Sequence, residues 1–261
     1  MTDENIQLIQ ELEKRIAYER LVAQISAMAV NLTDISAFQN ICMQLIGETT
    51  GIDRAYIFKY CYASNTVSNT HEWCAPGIEP QIDSMQKIDQ TEIAWWNDSL
   101  RKDCIIHFHD IEQIADHKVK TLLRQQNILS ILAVPLIIKD ELYGFMGFDS
   151  CKNHRLWPDE DIDLLKMVSR IISDAIAHFT VKTELIASQQ QMLSIFDSIT
   201  DPVYVADTET YEILFANKHM KQTLQQEAVG EKCYKAIQNL DSPCPFCTNR
   251  IIAECDPEPY H

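Results

Sequence analysis

The sequence predicts an α+β fold: an antiparallel sheet flanked by helices, then a long coiled-coil connector helix, then a second and incomplete α+β domain. Three observations predict it. Apolar residues recur at helical intervals before Gly51 and at strand intervals after it, pairs of strand-like segments are joined by short polar links, and a run of heptads covers residues 165–196.

Ile9, Leu12, Ile16, Leu21, Ile25, Met28 and Leu32 share one helical face, so a helix is expected over 9–32, with residues 1–18 standing ahead of the main domain. A second helix runs from Asp34, a suitable N-cap, to Thr50, where Gly51 ends it. The segments 54–63 (RAYIFKYCYA) and 66–75 (TVSNTHEWCA) flank Ser64-Asn65 and read as a hairpin. A helical insert around 89–102, a short strand over 104–110 and a helix ending near Gln126 follow. Two further strands, 129–138 (LSILAVPLII) and 141–150 (ELYGFMGFDS), are joined by Lys139-Asp140 and are apolar on both parities, as a sheet covered on both faces requires.

Positions 165, 168, 172, 175, 179, 182, 186, 189, 193 and 196 hold Leu, Val, Ile, Ala, Phe, Lys, Ile, Gln, Leu and Phe. That spacing is a heptad repeat, weakened by Lys182 and Gln189. The first half is expected to pack on its own sheet, and the part past Phe179 to pair with the same helix of another subunit. Beyond it, strands are expected over 203–206 and 213–216, a helix opened by Asn217, and helical pieces over 230–237 and 246–252.

The chain has 261 residues, is 46% hydrophobic and carries a formal net charge of −16, which disfavours nucleic acid and anionic membrane surfaces as partners. No run of about 18 apolar residues occurs, and the start, MTDENIQLIQELEKR, lacks the basic-then-apolar pattern of a signal peptide. A cytoplasmic protein is expected. Cys42, Cys61, Cys74 and Cys104, set among apolar residues, read as small buried side chains.

With these elements in place, residues 19–183 resemble a GAF domain, most clearly in 71–83 (HEWCAPGIEPQID), 127–150 (NILSILAVPLIIKDELYGFMGFDS) and 155–166 (RLWPDEDIDLLK). Residues 191–261 resemble the beginning of a PAS domain, through 199–207 (ITDPVYVAD), 213–220 (ILFANKHM) and 230–237 (GEKCYKAI). The resemblance implies a bacterial sensory input module. It would precede an output domain, a histidine kinase or a GGDEF-type diguanylate cyclase, and signal through the connector at 165–196. The later strands of a PAS sheet are missing from the sequence, so a partial domain and a fragment of a longer protein are expected.

No nucleotide-binding, hydrolase, metalloprotease or kinase glycine motif is present, and only six glycines occur in the chain, so this part is not expected to be an enzyme. The resemblance implies a small-ligand pocket between sheet and helices, for which Phe58, His71, Trp73, Trp95 and Trp96 are the candidate lining residues. Asn153, Trp157 and Asp161 only loosely echo the cyclic-nucleotide signature of GAF domains, and no Cys-His pair is present for covalent bilin attachment. His107 and His109 alternate on one strand, a geometry open to a metal pair, though also to plain surface residues. Cys233, Cys244, Cys247 and Cys255 offer four thiols, two of them in C-x-x-C spacing. Zinc, an iron-sulfur cluster, redox chemistry and a local structural role all stay open for them. The expected whole is a homodimeric sensor joined through helices, reading an unknown small ligand or redox state; the alternative is a non-catalytic dimerisation scaffold within a kinase or cyclase.

Overall fold

The computed structural model describes residues 3–102, 104–247 and 249, and the chain divides into two compact units, Met1–Val181 and Lys182–His261. In the first unit, α1 (Asp3–Val30) and α2 (Ile35–Thr50) precede the sheet. Asp34 caps α2 by accepting from Ser36 and Ala37 N–H, and Gly51 ends it at φ 66°, a left-handed conformation that glycine adopts without strain.

Six antiparallel strands follow: β1 (Arg54–Cys61), β2 (Thr66–Cys74), β3 (Ile88–Asp89), β4 (Ile106–Phe108), β5 (Ser130–Ile138) and β6 (Glu141–Ser150). Their spatial order is β3-β2-β1-β6-β5-β4. Lys139 and Asp140, both at positive φ, form the tight link between β5 and β6. Two helices lie along the chain between β3 and β5: α3 (Ala94–Arg101), entered through a 3₁₀ turn capped by Asp89, and α4 (His117–Gln125), capped by Asp116.

Both faces of the sheet are covered. Ala55, Ile57, Leu132, Val134, Met146 and Phe148 pack under α1, α2 and the first half of α5 (Asp159–Ser198), which supplies Leu165, Val168 and Ile172. On the other face Tyr56, Phe58, Ile131 and Phe145 pack against Trp96 and Leu100 of α3 and Val119 and Leu123 of α4. Each such side chain contributes about 1.5–3 kcal/mol by leaving water, which explains why β1, β5 and β6 tolerate so few polar residues.

The second unit, up to Asn249, holds β7 (Tyr204–Ala206) and β8 (Ile213–Ala216), paired antiparallel, with α6 (Lys218–Leu224) and α7 (Cys233–Gln238). Its core is small: Ile213, Ala216, Met220 and Ala228. Asn217 does more than cap α6. Fully buried, it accepts from the N–H of Val203 and Met220 and donates to the carbonyls of Phe196, Ile199 and Asp201. Of the helical piece expected over 246–252, Phe246 lies in a turn and Cys247 in no regular element, while 248 and 250–252 lie outside the described residues.

One expectation about the thiols is corrected. Cys42 is buried, but Cys61 and Cys104 are exposed and Cys74 is half-buried, because Cys61 points outward at the end of β1 and Cys104 follows α3 in a loop.

Candidate functional site

The five aromatic and histidine candidates are divided by the sheet. Phe58 and Trp96 lie together: Phe58 stacks on Phe145 at 4.9 Å between ring centres, and Trp96 meets Phe145 edge-on at 5.7 Å. Trp95, 37% exposed, sits 6.3 Å from both Trp96 and Phe108 at the margin of this cluster. His71 and Trp73 stand on the opposite face. Trp73 packs so closely over α2 that a Cβ added at Gly47 would lie 2.1 Å from its ring, and His71 bonds Ser36 Oγ at 3.0 Å and Thr70 Oγ1 at 3.0 Å. Burial lowers the pKa of the His71 imidazole.

The cause is register. A two-residue link at Ser64-Asn65 would set Phe58 opposite His71, and directly opposed residues share a face. The structure instead pairs Cys61 with Thr66 and shifts register between Ile57 and Phe58, so His71 opposes Ile57 and Trp73 opposes Ala55. A slip of one residue changes the face.

Between the sheet and α3–α4 lies a cavity of about 40 Å³ lined by Tyr56, Phe58, Trp96, Leu122, Gln126 and Phe145, among others. Polar groups stand beside Trp96 on α3 and in the turn that enters it. Tyr60 Oη donates to Asn97 Oδ1 at 2.6 Å and Asn97 Nδ2 to the Gln90 carbonyl at 2.9 Å, whereas the buried Trp96 Nε1 and Gln90 Nε2 have no partner. An unpaired buried donor costs about 1–3 kcal/mol; of these two residues Trp96 lines the cavity, where an acceptor on a ligand would recover that cost.

Beneath the cavity is a charged pair whose two members no spacing in the sequence brings together. Arg54, 2% exposed, and Asp149, fully buried, face each other at 3.5 Å. Tyr56 Oη donates to Asp149 at 3.0 Å, and Arg54 donates to the Gln126 carbonyl at 3.2 Å. Burial pushes the Asp149 carboxyl up to about 7, against the pull of Arg54 and the Tyr56 hydroxyl. Gly147 makes room for this arrangement, since a Cβ there would meet the Tyr56 ring at 2.0 Å. Only the pairing of β1 with β6 brings the two charges together, and that pairing is set by tertiary structure.

His107 and His109 are exposed, and His109 Nε2 contacts the Gln113 amide nitrogen at 3.1 Å. Cys233, Cys244 and Cys247 are half-buried free thiols, and Cys255 lies outside the described residues. Among the described residues no three His, Cys, Asp or Glu side chains are gathered to hold a metal ion. No helix among them is long and apolar enough to cross a membrane.

This curled antiparallel sheet between two helical layers, with its cavity beside α3 and α4, is the architecture of a GAF domain. Residues 34–176 match the GAF domain family, and the chain belongs to it; residues 190–256 match the PAS domain family. Among curated proteins the chain is 29% identical over 191 residues to the methanogenesis regulatory histidine kinase FilI of Methanothrix harundinacea, covering 70% of this chain and 21% of the kinase. It is 23% identical over 209 residues to the circadian input-output histidine kinase CikA of Thermosynechococcus vestitus, covering 73% of this chain and 27% of that one. The chain thus spans about a fifth of the first relative and just over a quarter of the second. Among solved structures, the phycocyanobilin-bound GAF domain from a cyanobacterial phytochrome superposes with a TM-score of 0.56 at 16% identity, covering 63% of this chain and 96% of that domain. At that identity the likeness is one of fold.

Proposed function

We propose that this chain is a cytoplasmic sensory input segment of a signalling histidine kinase, in which the GAF domain takes up a small, largely apolar ligand and the helices pass the change to an output domain. The observation that carries the reading is the similarity to two histidine kinases over 191 and 209 residues, stretches longer than the GAF match itself. The ligand class follows from the aromatic wall of Phe58, Phe145 and Trp96 and from the unpaired Trp96 Nε1, which asks for an acceptor. A cavity of about 40 Å³ is far below the roughly 300 Å³ of an ordinary ligand site, so uptake requires α3 and α4 to move off the sheet. That movement is the sensing event.

A thermal-shift screen of a metabolite library on the full chain tests the ligand. Stabilising compounds should slow hydrogen exchange over residues 88–126 and lose much of their effect in Trp96→Phe. A screen without hits, or hits protecting only other segments, overturns the ligand reading. The kinase reading is tested separately, by ATP-dependent phosphohistidine formation in the full-length gene product; its absence would sink it. Past Val181, α5 leaves Leu185, Ile186, Met192 and Leu193 exposed, which supports pairing with the same helix of a second subunit.

A further inference from the structure

Two cysteines held by one turn, and a third brought in from another segment, lie outside the ligand site. Cys247 N–H donates to the Cys244 carbonyl at 3.0 Å. A turn closed this way keeps its first and fourth Cα atoms within about 7 Å, and a disulfide needs about 4.4–6.8 Å. Pro243 and Pro245 flank Cys244 and fix φ on either side of it, so little further ordering is needed to bring the sulfurs together. The segment is also anchored. Asn249 Nδ2 donates to the Thr208 carbonyl in the β7–β8 turn at 3.4 Å. Cys233, at the start of α7, donates its N–H to the Tyr211 carbonyl at 2.8 Å.

The three thiols share one neighbourhood. After burial, Cys233, Cys244 and Cys247 all push up the pKa of the Tyr204 hydroxyl, and Cys244 and Cys247 push up that of the Cys233 thiol. All three are half-buried and reduced, hence open to small reagents. A metal would need at least three gathered donors, and none are so arranged among the described residues; a dithiol needs two.

We propose that Cys244 and Cys247 form a reversible redox pair, closing to a disulfide when a hydroperoxide oxidises them. One thiolate attacks the peroxide, the O–O bond breaks, and a sulfenic acid forms as an alcohol or water leaves. The second thiolate then attacks that sulfur, the S–O bond breaks, and the departing hydroxide takes a proton to leave as water. In sum, two thiols and one hydroperoxide give one disulfide, one alcohol or water, and one further water. Two electrons pass from sulfur to oxygen, and an external dithiol reverses the change. The proposal is independent of the ligand and kinase readings, because its readout is thiol mass.

The test uses the full chain treated with hydrogen peroxide, alkylated, and cleaved after Lys and Arg. Cleavage after Lys235 and Arg250 releases 236–250, whose only cysteines are Cys244 and Cys247. The expected result is that fragment unalkylated and two hydrogens lighter than the reduced form, with dithiothreitol restoring two alkylation sites. Cys233→Ser should keep this behaviour, and Cys244→Ser should abolish it. A fragment alkylated at both sulfurs after peroxide, a link from either cysteine to Cys233 or to a second chain, or zinc found by native mass spectrometry to shield these thiols in the reduced protein would each overturn it.

Discussion

Asp161, in the first turn of α5, shows how one side chain ties distant segments together. Its carboxylate accepts from Tyr18 Oη at 2.7 Å, Lys14 Nζ at 2.8 Å and Arg155 at 2.9 Å, so α1 and the loop before α5 are both fastened to it. Burial alone would raise its pKa, but the hydrogen bonds from Lys14, Arg155 and Tyr18 hold it below the ordinary carboxylate range. Asp161→Asn should therefore cost about 1.5–3 kcal/mol at pH 7. A carboxylate with a lowered folded-state pKa contributes stability that is complete above the unfolded value of about 3.9 and is lost as pH falls through the folded value. The gap between wild type and Asp161→Asn should close below about pH 4, as urea denaturation at pH 7, 5 and 3 can show; a gap constant with pH would refute this role. In the sequence Asp161 appeared only as part of a loose nucleotide signature, because its partners at 14, 18 and 155 have no spacing that predicts contact.

At the scale of elements, α5 uses its heptads for two purposes. Leu165, Val168, Ile172 and Ala175 are consumed by the sheet, whereas Ile186 and Leu193 are 44% and 49% exposed. Phe196 is engaged in the second unit, 5.4 Å from Phe215. A helical seam made of Ile186 and Leu193 but interrupted by Lys182 and Gln189 would be weak, which is what the proposed connector, shifting between pairings, would need. Light scattering on the eluting full chain should give twice the chain mass, and the double variant Ile186→Asp, Leu193→Asp should give once that mass. A monomeric wild type would end the dimer proposal. The β1–β2 hairpin carries the opposite lesson: both strands were legible, but their register was not, because a link of Tyr62 to Asn65 and a bulge near Phe58 leave no mark in the apolar pattern.

At the scale of the whole molecule, the two units differ in how much they bury. The first fills both faces of a six-stranded sheet, while the second, among the described residues, closes a two-stranded sheet over four buried apolar residues, Ile213, Ala216, Met220 and Ala228. A two-stranded sheet with so small a core is marginal without further cover. Hydrogen exchange should find β1, β5 and β6 the most protected segments and β7–β8 exchanging orders of magnitude sooner. Equal protection in the two would show that the second unit draws stability from contacts beyond its small core.

The sequence by itself determined the fold class, the GAF and PAS resemblance, the caps at Asp34, Gly51 and Asn217, and the order of nearly every element, because each of these is written in local spacing and turn chemistry. Tertiary structure alone decided which side chains meet. It set His71 and Trp73 against α2, away from Phe58 and Trp96; it buried Arg54 against Asp149 and gathered Lys14, Tyr18 and Arg155 on Asp161. Those meetings depend on strand register and on helices folding back over the sheet. A shift of one residue exchanges the two faces, and the apolar pattern of a strand covered on both sides reads the same either way.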